Sequence, residues 1–281
     1  MKYVDIHRHP PLSNNNDDVI SIVDISSPDA RACVTTLCFR HCERSEAIQS
    51  VDFHWIASVA GQAHNDIHPR NDVAAHFSHR LAHADLQSVR PVCSYGIHPW
   101  FLTAENADQQ LFQLEHLLQH DAIVAIGEVG LDAVRGAGME AQQRVFEKVI
   151  SLSEQYQKPL IIHCVKAWDK LLSLHKNRKA TQTWIVHGFQ GNYELASQLL
   201  NRKMRLSFGT KLLKDDRLQT VFSRIPIDSL FLETDDAEVD IADVYLAAAA
   251  IRKMEMESLK HVVFENFTSM SLILSSASPR G

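Results

Sequence analysis

Ile123-Val124-Ala125-Ile126-Gly127-Glu128-Val129-Gly130-Leu131-Asp132 decides how this chain folds. The opening run of Ile123 to Ile126 is short, apolar and mostly β-branched, the pattern of a buried strand. It gives way to glycines and the carboxylates Glu128 and Asp132 rather than to more apolar residues. Working outward, comparable apolar runs stand at residues 3–6, 19–23, 92–95, 160–162, 184–186, 204–208 and 230–232. Segments with helical periodicity, at 109–118, 140–156, 193–200, 212–222 and 244–254, separate the later ones. Repeated strand and helix units imply an α/β fold in which helices cover a parallel sheet. Eight strands imply a closed TIM (β/α)8 barrel, whose chemistry sits at the C-terminal ends of the strands.

That rule is testable on the strand ends. The first run ends in His7-Arg8-His9, the third in Gly96-Ile97-His98-Pro99-Trp100, the fourth in the glycines and carboxylates quoted above. The fifth ends in His163-Cys164, the sixth in His187-Gly188-Phe189 and the eighth in Glu233-Thr234-Asp235-Asp236. A single histidine at a strand end is usually a satisfied structural residue. Six ionisable or Gly-rich ends in one chain point instead to one rim and a metal site. Asp5-x-His7-x-His9 alternates along its strand, so the period of two places all three side chains on one face. Glu128 adds a carboxylate able to bridge two ions, His163 and His187 add neutral nitrogen donors, and Asp235 completes the set. Six ligands are too many for one tetrahedral site, and with two carboxylates among them they favour a pair of divalent ions, Mg, Mn or Zn.

Composition sets the outer bounds. The chain has 281 residues, 45% hydrophobic and 22% charged, with a formal charge of −6, the balance of an ordinary globular protein read here as a single domain over residues 1–281. No apolar run approaches the roughly 18 residues of a membrane span, and the N-terminal residues enter a strand pattern without a signal-peptide core. A cytoplasmic protein with no membrane association is expected. The acidic balance supplies no basic footprint, so nucleic acid is expected as a substrate rather than as a default partner. No feature implies a stable protein partner, and a monomer is expected. Five cysteines without a CxxC pair argue against a disulfide framework and against a zinc ribbon. Cys164 follows a ligand on its strand, points to the opposite face, and reads as a packed thiol rather than a nucleophile.

Residues 37–88 break the rhythm before the third strand. They are polar, His-rich and without periodicity, longer than compact domains allow a plain connection, and read as an insertion or loop that contributes no ligand. Phe39-Arg40-His41-Cys42-Glu43-Arg44-Ser45-Glu46-Ala47-Ile48 resembles the in-frame translation of a dispersed DNA repeat. His76, His79 and His83 have helix-face spacing and read as part of a solvated helix or loop. Residues 275–281 read as a frayed, disordered tail.

Taken in order, Asp5-Ile6-His7-Arg8-His9, Gly96-Ile97-His98-Pro99, Gly127 to Asp132, Ile162-His163-Cys164, His187-Gly188-Phe189 and Glu233-Thr234-Asp235 resemble the signature motifs of the TatD family of metal-dependent hydrolases. The resemblance covers most of the chain outside the insertion. It implies a TIM barrel with His7, His9, Glu128, His163, His187 and Asp235 as metal ligands. It further implies a deoxyribonuclease that removes nucleotides from a 3′ end with magnesium or another divalent ion. Within that pattern Asp235 orients or deprotonates the attacking water, and His98 lies in the substrate site.

The chain departs from the family pattern near the substrate. Ala133-Val134-Arg135-Gly136 stands where an aromatic pair is usual, and Val165-Lys166-Ala167 follows His163-Cys164 where arginine, an acidic residue and alanine are common. Lys166 stands one position along from the lost arginine and is assigned to substrate binding. Asp236-Ala237-Glu238 replaces the expected proline. Trp100 reads either as a base-stacking surface or as a seal on the barrel rim, Asp5 as a hydrogen-bond partner of a ligand, and Asn266 as structural. Catalysis is assigned to Asp235 and Glu128, with Glu233 the alternative base. A competing expectation is a hydrolase of small amides, esters or lactones, because related barrels share such ligand sets. A third is an inactive paralogue spoiled by its insertion.

Overall fold

A computed structural model of the chain describes residues 2–8, 19–24, 92–120 and 123–270. Eight strands are present among them: β1 (Tyr3–Arg8), β2 (Val19–Asp24), β3 (Val92–Ser94), β4 (Ile123–Asp132), β5 (Leu160–Val165), β6 (Trp184–Val186), β7 (Arg205–Phe208) and β8 (Leu230–Leu232). They pair in chain order, every neighbour parallel. Seven α-helices follow or link them: α1 (Ala107–Leu117), α2 (Met139–Tyr156), α3 (Trp168–Arg178), α4 (Tyr193–Leu200), α5 (Asp216–Arg224), α6 (Ile241–Arg252) and α7 (Met256–Met270). The α/β class and all eight expected strands are present.

The sheet curls so that the end of β1 meets the chain just beyond β8. Arg8 and Asp235 form a parallel bridge. One layer deeper, the Asp5 carboxylate accepts Thr234 N–H at 3.1 Å and Thr234 Oγ1–H at 2.7 Å. The Tyr245 hydroxyl of α6 receives the Val4 amide at 3.1 Å and donates to the Val4 carbonyl at 3.0 Å. These hydrogen bonds tie β1 to the chain just beyond β8 and to α6, and Val4, Asp5, Thr234 and Tyr245 are all buried. Around them Val4, Ile6, Ile126, Leu160, Ile161, Ile162, Ile185, Val186, Leu206, Phe208 and Leu230 to Leu232 are fully buried. That is the apolar interior expected of strands covered on both faces.

β4 is longer than its apolar run because glycines let it keep pairing. A Cβ on Gly127 would press into the Ile161 side chain, and one on Gly130, whose φ is +146°, would run into the His163 carbonyl oxygen. Backbone therefore packs directly on backbone at two points along β4 and β5. Ile126 pairs with Leu160 but Val129 pairs with Ile162, so β4 carries one extra residue at the step holding Gly127 and Glu128. A bulge of this kind re-aims the side chain at its centre, here Glu128. A second slip lies between Asp5 and Arg8 in β1.

The helical expectation at 212–222 resolves into two pieces. Thr210–Leu213 forms a 3₁₀ turn, and α5 starts afresh because the Asp215 carboxylate caps Arg217 N–H at 3.0 Å and Leu218 N–H at 3.1 Å. α3 has no counterpart among the periodic segments, since it buries only Leu171, Leu172 and Leu174 in an otherwise polar stretch. Asn266 of α7 donates to the Ile227 and Leu230 carbonyls, both at 2.9 Å, which fastens the start of β8. The expected insertion at 37–88, with His76, His79 and His83, and the tail at 275–281 lie outside the described residues. No helix among the described residues is long and apolar enough to cross a membrane.

Candidate metal centre

Four of the singled-out residues converge. Glu128, only 3% exposed, points its Oε2 at three imidazoles: His187 Nε2 at 2.7 Å, His163 Nδ1 at 3.3 Å and His98 Nε2 at 3.4 Å. They arrive from four consecutive strands, with His98 just beyond β3, Glu128 on β4, His163 on β5 and His187 just beyond β6. Among the described residues, His98, Glu128 and His163 form a group whose ligand atoms all lie within 4.8 Å of one another.

Hydrogen bonds distinguish the three histidines. Asp132 Oδ2 lies 3.1 Å from His163 Nε2 and also accepts the Trp100 indole N–H at 2.6 Å, while Oδ1 accepts the amides of Val134 at 2.7 Å and Arg135 at 2.9 Å. Burial works against the Asp132 charge, but these donors hold its pKa down to about 2. An ionised carboxylate only accepts, so His163 donates from Nε2 to Asp132, which leaves Nδ1, 3.3 Å from Glu128, as the nitrogen that would face a bound cation. A carboxylate behind an imidazole is the usual way a metal-ligating histidine is fixed in orientation and tautomer. His98 has the opposite arrangement. Its Nδ1 accepts the Trp100 amide at 3.1 Å, so Nε2 bears the proton and faces the cluster as a donor. Burial lowers the His98 pKa against the pull of Glu128, which favours this neutral form.

His187 reports the charge balance of the site. Burial opposes its protonation, yet Glu128, Glu233 and Asp235 together lift its pKa to about 10. Three carboxylates around one imidazole are a surplus of negative charge that a divalent cation would also satisfy. Glu233 is fully buried, accepts the Gly188 amide at 2.5 Å, and sets its Oε1 3.9 Å from His187 Nδ1. It therefore stands behind His187. Asp235 is half-buried and adopts a left-handed backbone, φ +55°, so the alternation that would place it on one face with Glu233 ends at that residue.

Lys166, also assigned, stands apart from this cluster. It is exposed directly after β5 with φ +52°. His7 lies on β1, but its side chain, like all of His9, is outside the described residues. Cys164 is half-buried, and burial pushes its thiol up to about 12, so it remains a protonated thiol. Among the described residues, Asp5 bonds Thr234. Sequence reasoning left Asp132 and Trp100 without their linked role. A local signal existed for Asp132 alone, which sits on the strand end four residues beyond Glu128.

A curled parallel sheet with imidazoles and a carboxylate at successive strand ends makes an α/β, TIM-barrel-type fold with a candidate metal centre at its rim. The chain belongs to the family of TatD-related DNases, whose family model matches residues 4–270. The metal-dependent hydrolase YjjV of Escherichia coli K12 is 29% identical over 174 residues, a match covering 60% of this chain and 66% of that protein, just under two thirds of its length. The crystal structure of the same YjjV superposes with a TM-score of 0.68 at 21% identity, covering 95% of this chain and 97% of that one. A TatD-family hydrolase from Entamoeba histolytica gives a TM-score of 0.67 at 17% identity, covering 96% and 97% of the two chains. At those identities the two structures speak for the fold.

Proposed function

We propose that this chain hydrolyses phosphodiesters at DNA ends, as a 3′ exonuclease, with two divalent metal ions held by a closed (β/α)8 barrel. The observation that carries the reading is the relay from Asp132 through His163 to Glu128, which fixes the imidazole with Nδ1 beside a carboxylate. The donor set fits such ions: His163 and His187 would supply nitrogens and Glu128 and Asp235 carboxylates, with His7 and His9 assigned from their motif. When bound, the ions would neutralise phosphoryl oxygens and make water a better nucleophile near neutral pH.

The side chains divide the remaining tasks. His98, with its proton on Nε2, donates to a nonbridging phosphoryl oxygen as charge builds there. Asp235 accepts the proton of the attacking water. Glu233 accepts the Gly188 amide and stands 3.9 Å behind His187 Nδ1, which leaves the base role to Asp235. Lys166, exposed on the rim, offers a point charge to the substrate backbone.

Incubating metal-loaded protein with end-labelled single- and double-stranded DNA, beside a panel of small esters, lactones and amides, tests the reading. Shortening of DNA from the 3′ end, lost in Glu128→Gln and reduced at least about a hundredfold in Asp235→Asn, is expected. Turnover of the small panel with intact DNA would overturn the substrate class. Full activity of Asp235→Asn with collapse of Glu233→Gln would reverse the two carboxylates.

A further inference from the structure

An arginine stands over Trp100 at the edge of the site, on a backbone fixed from several sides. Asp132 Oδ1 takes the amides of Val134 and Arg135. Gln142 Nε2 donates to the Asp132 carbonyl at 2.9 Å and the Ala137 carbonyl at 2.6 Å, and Gln142 Oε1 receives the Asp132 amide at 2.7 Å. Gly136, with φ +96°, lies so close to the Pro99 carbonyl that a Cβ would not fit. The turn from Ala133 to Gly138 is thereby clamped against Pro99 and Trp100. Its single cationic side chain, Arg135, is exposed and lays its guanidinium over the Trp100 ring at 4.0 Å. Among the described residues, Arg135 makes no ion pair.

Trp100 also touches the cluster. Its ring meets His98 edge-on at 4.9 Å and His163 at 5.6 Å between centroids, and its N–H bonds Asp132. One indole thus separates Arg135 from the two imidazoles. A guanidinium stacked on an aromatic face keeps its edge donors free, and its plane is already oriented, so little freedom is lost when it binds an anion. Its fork matches two oxygens of a phosphate. The distance of one ring places it to meet a phosphate beside the one at the cluster.

Resting on the phosphodiesterase reading, we propose that Arg135, presented by Trp100, grips the phosphate neighbouring the scissile one and so makes the enzyme prefer oligonucleotides over diesters with a single phosphate. The position that departs from the family's aromatic pair thereby carries specificity by charge.

The test compares a single-stranded tetranucleotide with bis(p-nitrophenyl) phosphate, each with the metal-loaded wild type, Arg135→Gln and Arg135→Lys. The ratio of kcat/KM for the tetranucleotide to that for the small diester is expected to fall about tenfold in Arg135→Gln, through KM. Arg135→Lys should recover part of that loss, because charge returns without the planar fork. The slope of log KM against log salt should shrink by about 0.7, the share of one phosphate contact on a single strand. An equal fall for both substrates, or no fall for either, overturns the proposal while the phosphodiesterase reading stands. A wild type that cleaves neither substrate overturns both.

Discussion

Replacing Asp132 with Asn tests the logic of the metal centre at its most constrained point. The carboxylate serves four donors, two on each oxygen: the Val134 and Arg135 amides on Oδ1, and Trp100 Nε1–H with His163 Nε2 on Oδ2. Asparagine has one accepting oxygen. The two backbone amides cannot change character, so they keep it, and the new NH2 group turns toward Trp100 and His163. The Trp100 N–H then has no acceptor there, but its residue is 39% exposed and water can reach it, which limits the stability loss to about 1 kcal/mol. His163 can adapt by moving its proton to Nδ1 and accepting from the asparagine. That tautomer turns a proton, not a lone pair, toward Glu128. Metal affinity is therefore expected to fall about 10- to 100-fold, the range for losing the group behind a metal-bound histidine. Competition titration of Zn²⁺ or Mn²⁺ against a chromophoric chelator measures it, with thermal unfolding in chelator as the control for folding. Trp100→Phe removes one donor and leaves the bond from Asp132 to His163, so its loss of affinity should be the smaller. A folded Asp132→Asn protein with wild-type metal affinity would refute the assignment of His163 Nδ1 as the ligand atom.

Three further outcomes follow from individual contacts. Thr234→Val keeps the shape of the side chain but deletes its hydroxyl bond to buried Asp5, and should cost about 1–3 kcal/mol by urea unfolding at constant slope. Gly130→Ala forces a side chain onto a backbone with φ +146° against the His163 carbonyl, and should lower the melting temperature by the equivalent of at least about 2 kcal/mol. His175 packs edge-on against Trp184 at 4.8 Å; burial, with Arg202, lowers its pKa below the ordinary 6.5. Its neutral form therefore supports the fold above about pH 6.5, and that support is lost as pH falls toward the lower folded value. His175→Gln should make the decline in melting temperature between about pH 7.5 and 5 shallower than in the wild type; parallel curves would remove His175 from the account.

What the sequence disclosed, and what it withheld, follows from the range of the forces involved. Strand positions were legible because a strand buried on both faces must be a short apolar run, and its reactive end must break that run. Glu128, His163 and His187 sit at such breaks, so their convergence required only the parallel order of the strands. The break in the helix expected at 212–222 was local too, since Asp215 is a capping residue, but helical periodicity outweighed it. The relay behind the cluster has no such signature. Asp132 finds Trp100 and His163 across β3 and β5, and Glu233 finds the Gly188 amide 45 positions earlier in the chain. Nothing in the spacing of Glu233 and Asp235 announces the left-handed residue that separates their roles. The period of two holds only while the strand does, and β8 ends at Leu232. Beyond that residue the bridge to Arg8 and the bonds from Thr234 to Asp5 position the carboxylates. The site was thus visible as a set of strand ends, while the assignment of each side chain to metal, substrate or support depends on contacts between strand ends that exist only once the sheet has curled.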